Sequence, residues 1–205
     1  MIKAIIFDWG GVLIRNPTPT LTKIFSELLN ITKKEFIFLY SRYEDAFQRG
    51  KLSEDEFWDR ICNDLNIKKP SIKSLWNYAF RISYKENKKV FSLASSLKKN
   101  GYKIGFLSNS EVSSMDVFLE KNYKIFDAII FSCKEGFRKP EKEIFEIIIS
   151  KLYVSPKESV FIDDKKENLD GAKKIGMKTI LFKNYNKLID ELKSISIKLI
   201  LLKLL

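Results

Sequence analysis

The chain has 205 residues, 45% of them hydrophobic and 31% charged, with a formal net charge of +11, two cysteines and no histidine. That length and balance fit one globular domain, with or without an inserted module, and suffice for a real core. The missing histidine excludes Ser-His-Asp and Cys-His hydrolysis, histidine general bases and histidine-ligated zinc, so any catalysis rests on carboxylates, lysines and hydroxyls.

Several further classes fall away. The first apolar run starts at residue 2 with no charged-then-apolar leader, and no apolar run approaches the ~18 residues of a membrane span. Cys62 and Cys133 lie far apart without paired-ligand spacing, which argues against a disulfide framework or a zinc site and for a cytoplasmic protein. The lysines are spread along the chain beside glutamates, and no basic run is interleaved with aromatics. A nucleic-acid groove is therefore not expected.

In chain order, the first element is a strand over Ala4–Phe7, an uninterrupted apolar run that ends on Asp8, Trp9, Gly10 and Gly11. From about 15 to 87 the pattern is helical: Leu21, Ile24, Phe25 and Leu28, then Phe36, Leu39, Tyr40, Tyr43 and Phe47, then Phe57, Ile61 and Leu65. Ser53 with Glu56 reads as a capping box for the third of these helices. A helix through Val90, Leu93, Ala94 and Leu97 then stops at Asn100-Gly101. Strands are predicted over Ile104–Leu107, Ala128–Phe131, Val160–Ile162 and Thr179–Phe182. Helical faces lie between the later ones, at Ile144, Phe145, Ile148 and Leu152 and at Leu169, Ala172 and Ile175. Runs apolar throughout fit a parallel sheet covered on both faces. The expected fold is α/β: a doubly wound, mostly parallel, Rossmann-like sheet over 1–14 and 88–205, with an inserted all-helical cap over 15–87. The apolar tail Ile195–Leu205 fits a last strand, a packing helix or a partner surface.

In open parallel sheets, ligands bind beyond the carboxyl ends of the strands. The residues there are Asp8 after the first strand, Ser108, Asn109 and Ser110 after the second, Lys139 in the loop after the third, and Asp163 and Asp164 after the fourth. Singly, each is an ordinary cap, turn or surface charge. Together they aim acids, a hydroxyl and an ammonium at one crevice. Three carboxylates in one crevice repel unless a cation joins them, and Mg²⁺ is the hard, oxygen-liking ion that accompanies phosphates. Asp8 could then attack phosphorus while Ser108 and Lys139 hold the phosphoryl oxygens.

The stretches "FDWGGVL", "FLSNS", "FRKPEKEIFE" and "VFIDDKKENLDGAKKIGMKTILF" resemble, in order, the four motifs of the haloacid dehalogenase-like (HAD) hydrolases. The inserted helices, with "FQRGKLSEDEFWDRI", resemble the cap of the subgroup whose cap lies between motifs one and two, in which some sugar-phosphate phosphatases, including glucose-1-phosphate phosphatase, are similar. The resemblance implies that Asp8 is a nucleophile forming an aspartyl-phosphate and that Ser108, with Asn109 beside it, binds the phosphoryl group. It implies that Lys139 pairs with the phosphate and Asp8, and that Asp164 is the main Mg²⁺ ligand with Asp163 second and Asn168 in support. Asp8 and the backbone carbonyl of Gly10 would complete the metal set. It also implies a phosphatase of a small phosphorylated metabolite, with a homodimer admissible. Phosphatases of the family carry a second Asp two residues after the nucleophile, as the acid–base; here that position is Gly10. A metal-independent dehalogenase, whose halide leaves without a proton, and a non-catalytic binding relative are the alternatives. Arg15, Tyr43, Gln48, Arg49 and Trp58 are cap residues that either reach a substrate or serve packing and surface, and Glu44 and Asp45 are the first substitutes for the missing acid.

Overall fold

The structure is a computed structural model, and it describes residues 1–199. Its elements in chain order are β1 (Ala4–Phe7), α1 (Thr18–Leu28), α2 (Lys33–Gln48), α3 (Glu54–Leu65), α4 (Leu75–Ser83), α5 (Lys88–Lys99), β2 (Lys103–Ser108), α6 (Val112–Glu120), β3 (Ala128–Phe131), α7 (Ser132–Glu135), α8 (Lys142–Lys151), β4 (Ser159–Asp163), α9 (Lys166–Lys174), β5 (Lys178–Leu181) and α10 (Tyr185–Ser194). The five strands form one sheet in the order β3-β2-β1-β4-β5, every pair parallel. The strand that leads into Asp8 is therefore central, and β2 and β4 flank it. The α/β expectation holds.

Because side chains alternate along a strand, β1 feeds two cores. Ile5 and Phe7 face the side of α5 and α6, with Ile104, Phe106, Val160 and Ile162. Ala4 and Ile6 face α8 and α9, with Leu107, Phe161, Ile144 and Ile148. Uninterrupted burial of β1 and β4 explains the apolar runs Ala4–Phe7 and Val160–Ile162.

The four helices α1–α4 stand between β1 and α5. Thr32 and Ser53 start α2 and α3 with complete capping boxes, each hydroxyl accepting from the backbone N–H three residues on. Four helices replace the three legible in the sequence. The extra one, α4, buries Leu75, Trp76, Ala79 and Phe80. Trp76 packs on Phe25 at 5.1 Å and Phe47 at 5.1 Å between ring centroids. Burying an aromatic of this size contributes roughly 1.5–3 kcal/mol. The helical segment shares its apolar cluster with one sheet face. Trp9 makes the join, with Phe80 of α4 at 5.0 Å and Phe106 and Phe118 at 5.7 and 5.4 Å.

Pro140 follows a cis peptide, and α8 begins at Lys142 after Glu141. Helices α6 and α10 are additions, both with buried faces. In the tail, residues 195–199 form neither strand nor helix. Ile197 is buried there, and the Lys198 N–H donates to the Tyr102 hydroxyl at 2.9 Å. The rest of the predicted tail lies outside the described residues.

Candidate active site

The carboxyl ends of β1, β2 and β4 converge on a cavity of about 450 Å³ between the sheet and the helical segment. Asp8 follows β1 directly and is almost fully buried. Parallel pairing sets Phe7 opposite Phe106 on one side and Ile162 on the other, so Asp163, one residue past Ile162, and Ser108, two past Phe106, reach the same end of the sheet as Asp8.

Lys139 ties the acids together. Its ammonium donates to Asp8 Oδ1 at 2.6 Å and to Asp163 Oδ2 at 2.8 Å, with 3% of the residue exposed. Burial pulls its pKa down, but the charges of Asp163 and Asp8 outweigh that and hold it above the ordinary lysine value. At Asp8 burial wins instead: burial, with Asp163 and Asp164 adding to it against the pull of Lys139, raises its pKa to about 7. Asp164 is raised as well, first by burial and then by Asp163.

The loop carrying Lys139 is held by Asn109. Asn109 Oδ1 accepts from the Lys139 N–H at 2.8 Å, and its Nδ2 donates to the Lys139 carbonyl at 3.0 Å. Asn109, expected to bind substrate, thus spends both ends of its amide positioning Lys139. Ser108 lines the cavity, and its Oγ lies 2.6 Å from Ser110 Oγ. Asp163 has no oxygen to spare: Oδ1 accepts from the Lys165 N–H and from Asn168, and Oδ2 from Lys139 and Asn168. Asp163 therefore anchors Lys139.

The geometry suits a divalent cation. One carboxylate oxygen from each of Asp8, Asp163 and Asp164 lies within 4.8 Å of the others, and Asp164 Oδ1 is buried with no hydrogen-bond partner. An unpaired buried carboxylate oxygen on an acid clustered with two others is costly unless a cation meets it. Asp8 and Asp164 are the open ligands, and Gly10 lines the same cavity.

At Gly10 the space is open. An added Cβ would meet Pro17 Cδ at 3.4 Å, an ordinary contact. The missing side chain is therefore not forced by packing.

The helical segment supplies the roof. Gln48 and Arg49 line the cavity, and so do Glu44 and Asp45. Arg15, Tyr43 and Trp58 do not. Arg15 is exposed, Tyr43 donates to Asp64 at 2.7 Å on the outer side, and Trp58 is packed in the aromatic cluster with Phe25 and Phe57. Arg49 pairs with both oxygens of Glu141 and with Asp45, while Arg138 reaches Glu44 at 3.4 Å. The end of α2 is thus latched to the loop that carries Lys139. Arg49 holds the Asp45 carboxyl below the usual range, which makes Asp45 a poor proton donor. The residues the sequence did not reveal are Tyr40, Glu111 and Trp76, all on the cavity wall. Only the acid directly after "SNS" could have drawn notice to Glu111.

Comparison with known proteins places these features among relatives. The family model described as haloacid dehalogenase-like hydrolase matches residues 2–176. Sesquiterpene phosphatase astK of Aspergillus oryzae is 28% identical over 178 residues, 85% of this chain and 87% of that protein. D-ribitol-5-phosphate phosphatase of Bacteroides thetaiotaomicron is 26% identical over 197 residues, 87% and 91%. Other curated relatives are longer, and the chain spans 18% to 39% of several of them. A mutant HAD-family enzyme from Bacteroides thetaiotaomicron, crystallised with magnesium and inorganic phosphate, shares the fold. Its TM-score is 0.72 at 24% identity, over 92% of this chain and 99% of that one.

Proposed function

Because this chain belongs to the haloacid dehalogenase-like hydrolases, we propose that it is a Mg²⁺-dependent phosphatase of a small phosphorylated metabolite, working through an aspartyl-phosphate on Asp8. The observation that carries this is the buried contact of Lys139 with Asp8 and Asp163 beside an Asp164 oxygen that nothing in the protein satisfies. The two phosphatase relatives support the same reaction type.

Lys139 engages Oδ1 of Asp8, which leaves Oδ2 to attack phosphorus as the ester P–O bond breaks. Ser108 Oγ and the Lys139 ammonium stabilise the phosphoryl oxygens as charge redistributes. Water then cleaves the aspartyl-phosphate and restores Asp8. Asp8 and Asp164, with the Gly10 carbonyl, would hold Mg²⁺, which supplies charge neutralisation at the phosphoryl group when bound. A cation there also opposes the high Asp8 pKa and keeps the carboxylate ionised. With glycine at position 10, no side chain there protonates the leaving group, so esters whose leaving group is stable as an anion should react fastest. A metal-free carbon–halogen hydrolase fits less well, since it leaves the Asp164 oxygen buried and unmet.

The test is release of inorganic phosphate from an aryl phosphate and from a panel of phosphorylated metabolites, with Mg²⁺ and with chelator. Magnesium-dependent release is expected. No release from any ester, or halide release without metal from a haloacid, would contradict the proposal.

A further inference from the structure

We infer that Gln48 reads a hydroxyl group on the phosphorylated substrate, so that this site selects hydroxylated phosphate esters over their deoxy counterparts. The inference rests on the phosphatase function proposed above and names the substrate class it serves.

Gln48 is the last residue of α2, 8% exposed, and lines the cavity. Its Nε2 donates to the Tyr40 hydroxyl at 3.0 Å and to Glu111 Oε1 at 3.1 Å. Its Oε1 is buried and has no hydrogen-bond partner. The amide orientation follows from its neighbours. The Tyr40 hydroxyl gives its proton to Glu111 Oε1 at 3.0 Å and so can only accept from Gln48. Reversing the amide would set a carbonyl oxygen against the Glu111 carboxyl and the Tyr40 oxygen. The open position is thus an acceptor, and a buried acceptor left unmet is destabilising.

The surroundings fix it rigidly. Ser114 Oγ donates to Glu111 Oε2 at 3.1 Å and accepts from Trp76 Nε1 at 2.9 Å, so both Glu111 oxygens are satisfied. The Gln48 backbone carbonyl accepts from Ser132 Oγ at 2.6 Å, and Ser132 Oγ in turn accepts from the Ser110 N–H at 2.9 Å. Ser110 Oγ meets Ser108 Oγ. Gln48 is therefore tied, through Ser132 and Ser110, to the residue that would bind the phosphoryl group.

A hydroxyl matches one open acceptor. An ammonium would bring three donors to a network whose other acceptors are already engaged, leaving most of them unmet.

The experiment compares kcat/KM for propyl phosphate, glycerol phosphate and aminoethyl phosphate, with an aryl phosphate as reference, in wild type, Gln48→Met and Gln48→Asn. Comparing each ester between proteins cancels differences in leaving-group acidity. Wild type should prefer the hydroxylated ester. Gln48→Met should reduce that preference by roughly three- to tenfold, the size of one hydrogen bond, and Gln48→Asn, its amide withdrawn by one methylene, should reduce it too. Equal loss on all esters would make Gln48 a structural residue and overturn the inference. So would a wild type that shows no preference for glycerol phosphate over propyl phosphate, which needs no variant to fold, or a Gln48→Met that loses more on aminoethyl phosphate than on glycerol phosphate. Turnover of the aryl phosphate without a hydroxyl preference leaves the phosphatase function standing while removing this inference. Absence of turnover on every ester overturns both.

Discussion

The side chain missing at position 10 has a measurable consequence. General acid catalysis contributes typically about 10²–10⁴-fold, and its loss matters most for leaving groups that are poor as anions. Wild-type rates should therefore fall steeply as leaving-group pKa rises. Since a Cβ at Gly10 meets only Pro17 at ordinary distance, Gly10→Asp is expected to be accepted and to flatten that slope, helping alkyl esters more than aryl ones. A flat slope in the wild type would mean that another group supplies the proton, with Glu44 the first to examine, because Arg49 lowers the Asp45 pKa. A second consequence concerns the acids. Asp8 rises from its ordinary value of 3.8 to about 7 in the folded protein, so the metal-free fold holds a proton that the unfolded chain releases. That contribution to stability is complete below about pH 4 and is lost as pH rises through about 7. Mg²⁺ competes with this proton and binds only the folded site. The rise in melting temperature caused by Mg²⁺ should thus be larger at pH 8 than at pH 5, and Asp164→Ala should abolish it. An equal rise at both pH values, or an unchanged rise in Asp164→Ala, would place the ion elsewhere.

Among the elements, α9 and the Lys139 loop meet at a glycine. A Cβ on Gly171 would lie 2.3 Å from the Pro140 carbonyl oxygen and 2.8 Å from Pro140 Cβ. Gly171→Ala must therefore push Pro140 away and draw Lys139 from Asp8. A displacement near 1 Å at a catalytic group costs about 10²-fold, so kcat/KM should drop by about that factor while a cooperative melt is retained. An unchanged rate would show that Lys139 does not depend on this contact. The strands were legible in the sequence because buried parallel strands are apolar throughout, and the residue after each end was then a short list: Asp8, Ser108, Asp163. Lys139 was legible only with its motif. Helix α4 was not, since the lysine-rich, Pro70-containing stretch after Leu65 hides its start. Gln48 could be singled out, but not its partner Glu111, 63 residues further on, because no local pattern links them. Helical periodicity names the apolar side chains without saying whether they face the cavity or a neighbouring helix, which is why the sequence could not separate Tyr43 and Trp58, off the cavity, from Tyr40 and Trp76, on its wall.

At the scale of the molecule, two joints hold roof and sheet together: the aromatic contacts of Trp9 and the latch of Arg49 on Glu141. Between them they enclose a buried carboxylate with a lysine on one oxygen, and the net charge of +11 favours approach of an anionic ester at low salt. No helix among the described residues is long and apolar enough to cross a membrane. The central claim is that Asp8 attacks phosphorus in this enclosure with Mg²⁺ bound. Its most direct test is phosphate release from an aryl phosphate in Mg²⁺ by wild type and by Asp8→Asn, which keeps the side-chain shape and removes the nucleophilic charge. The account predicts magnesium-dependent release by wild type, and in a folded Asp8→Asn a loss of at least about 10³-fold, as expected when a covalent nucleophile is removed. Substantial release by Asp8→Asn, or wild-type release unaffected by chelator, would contradict it.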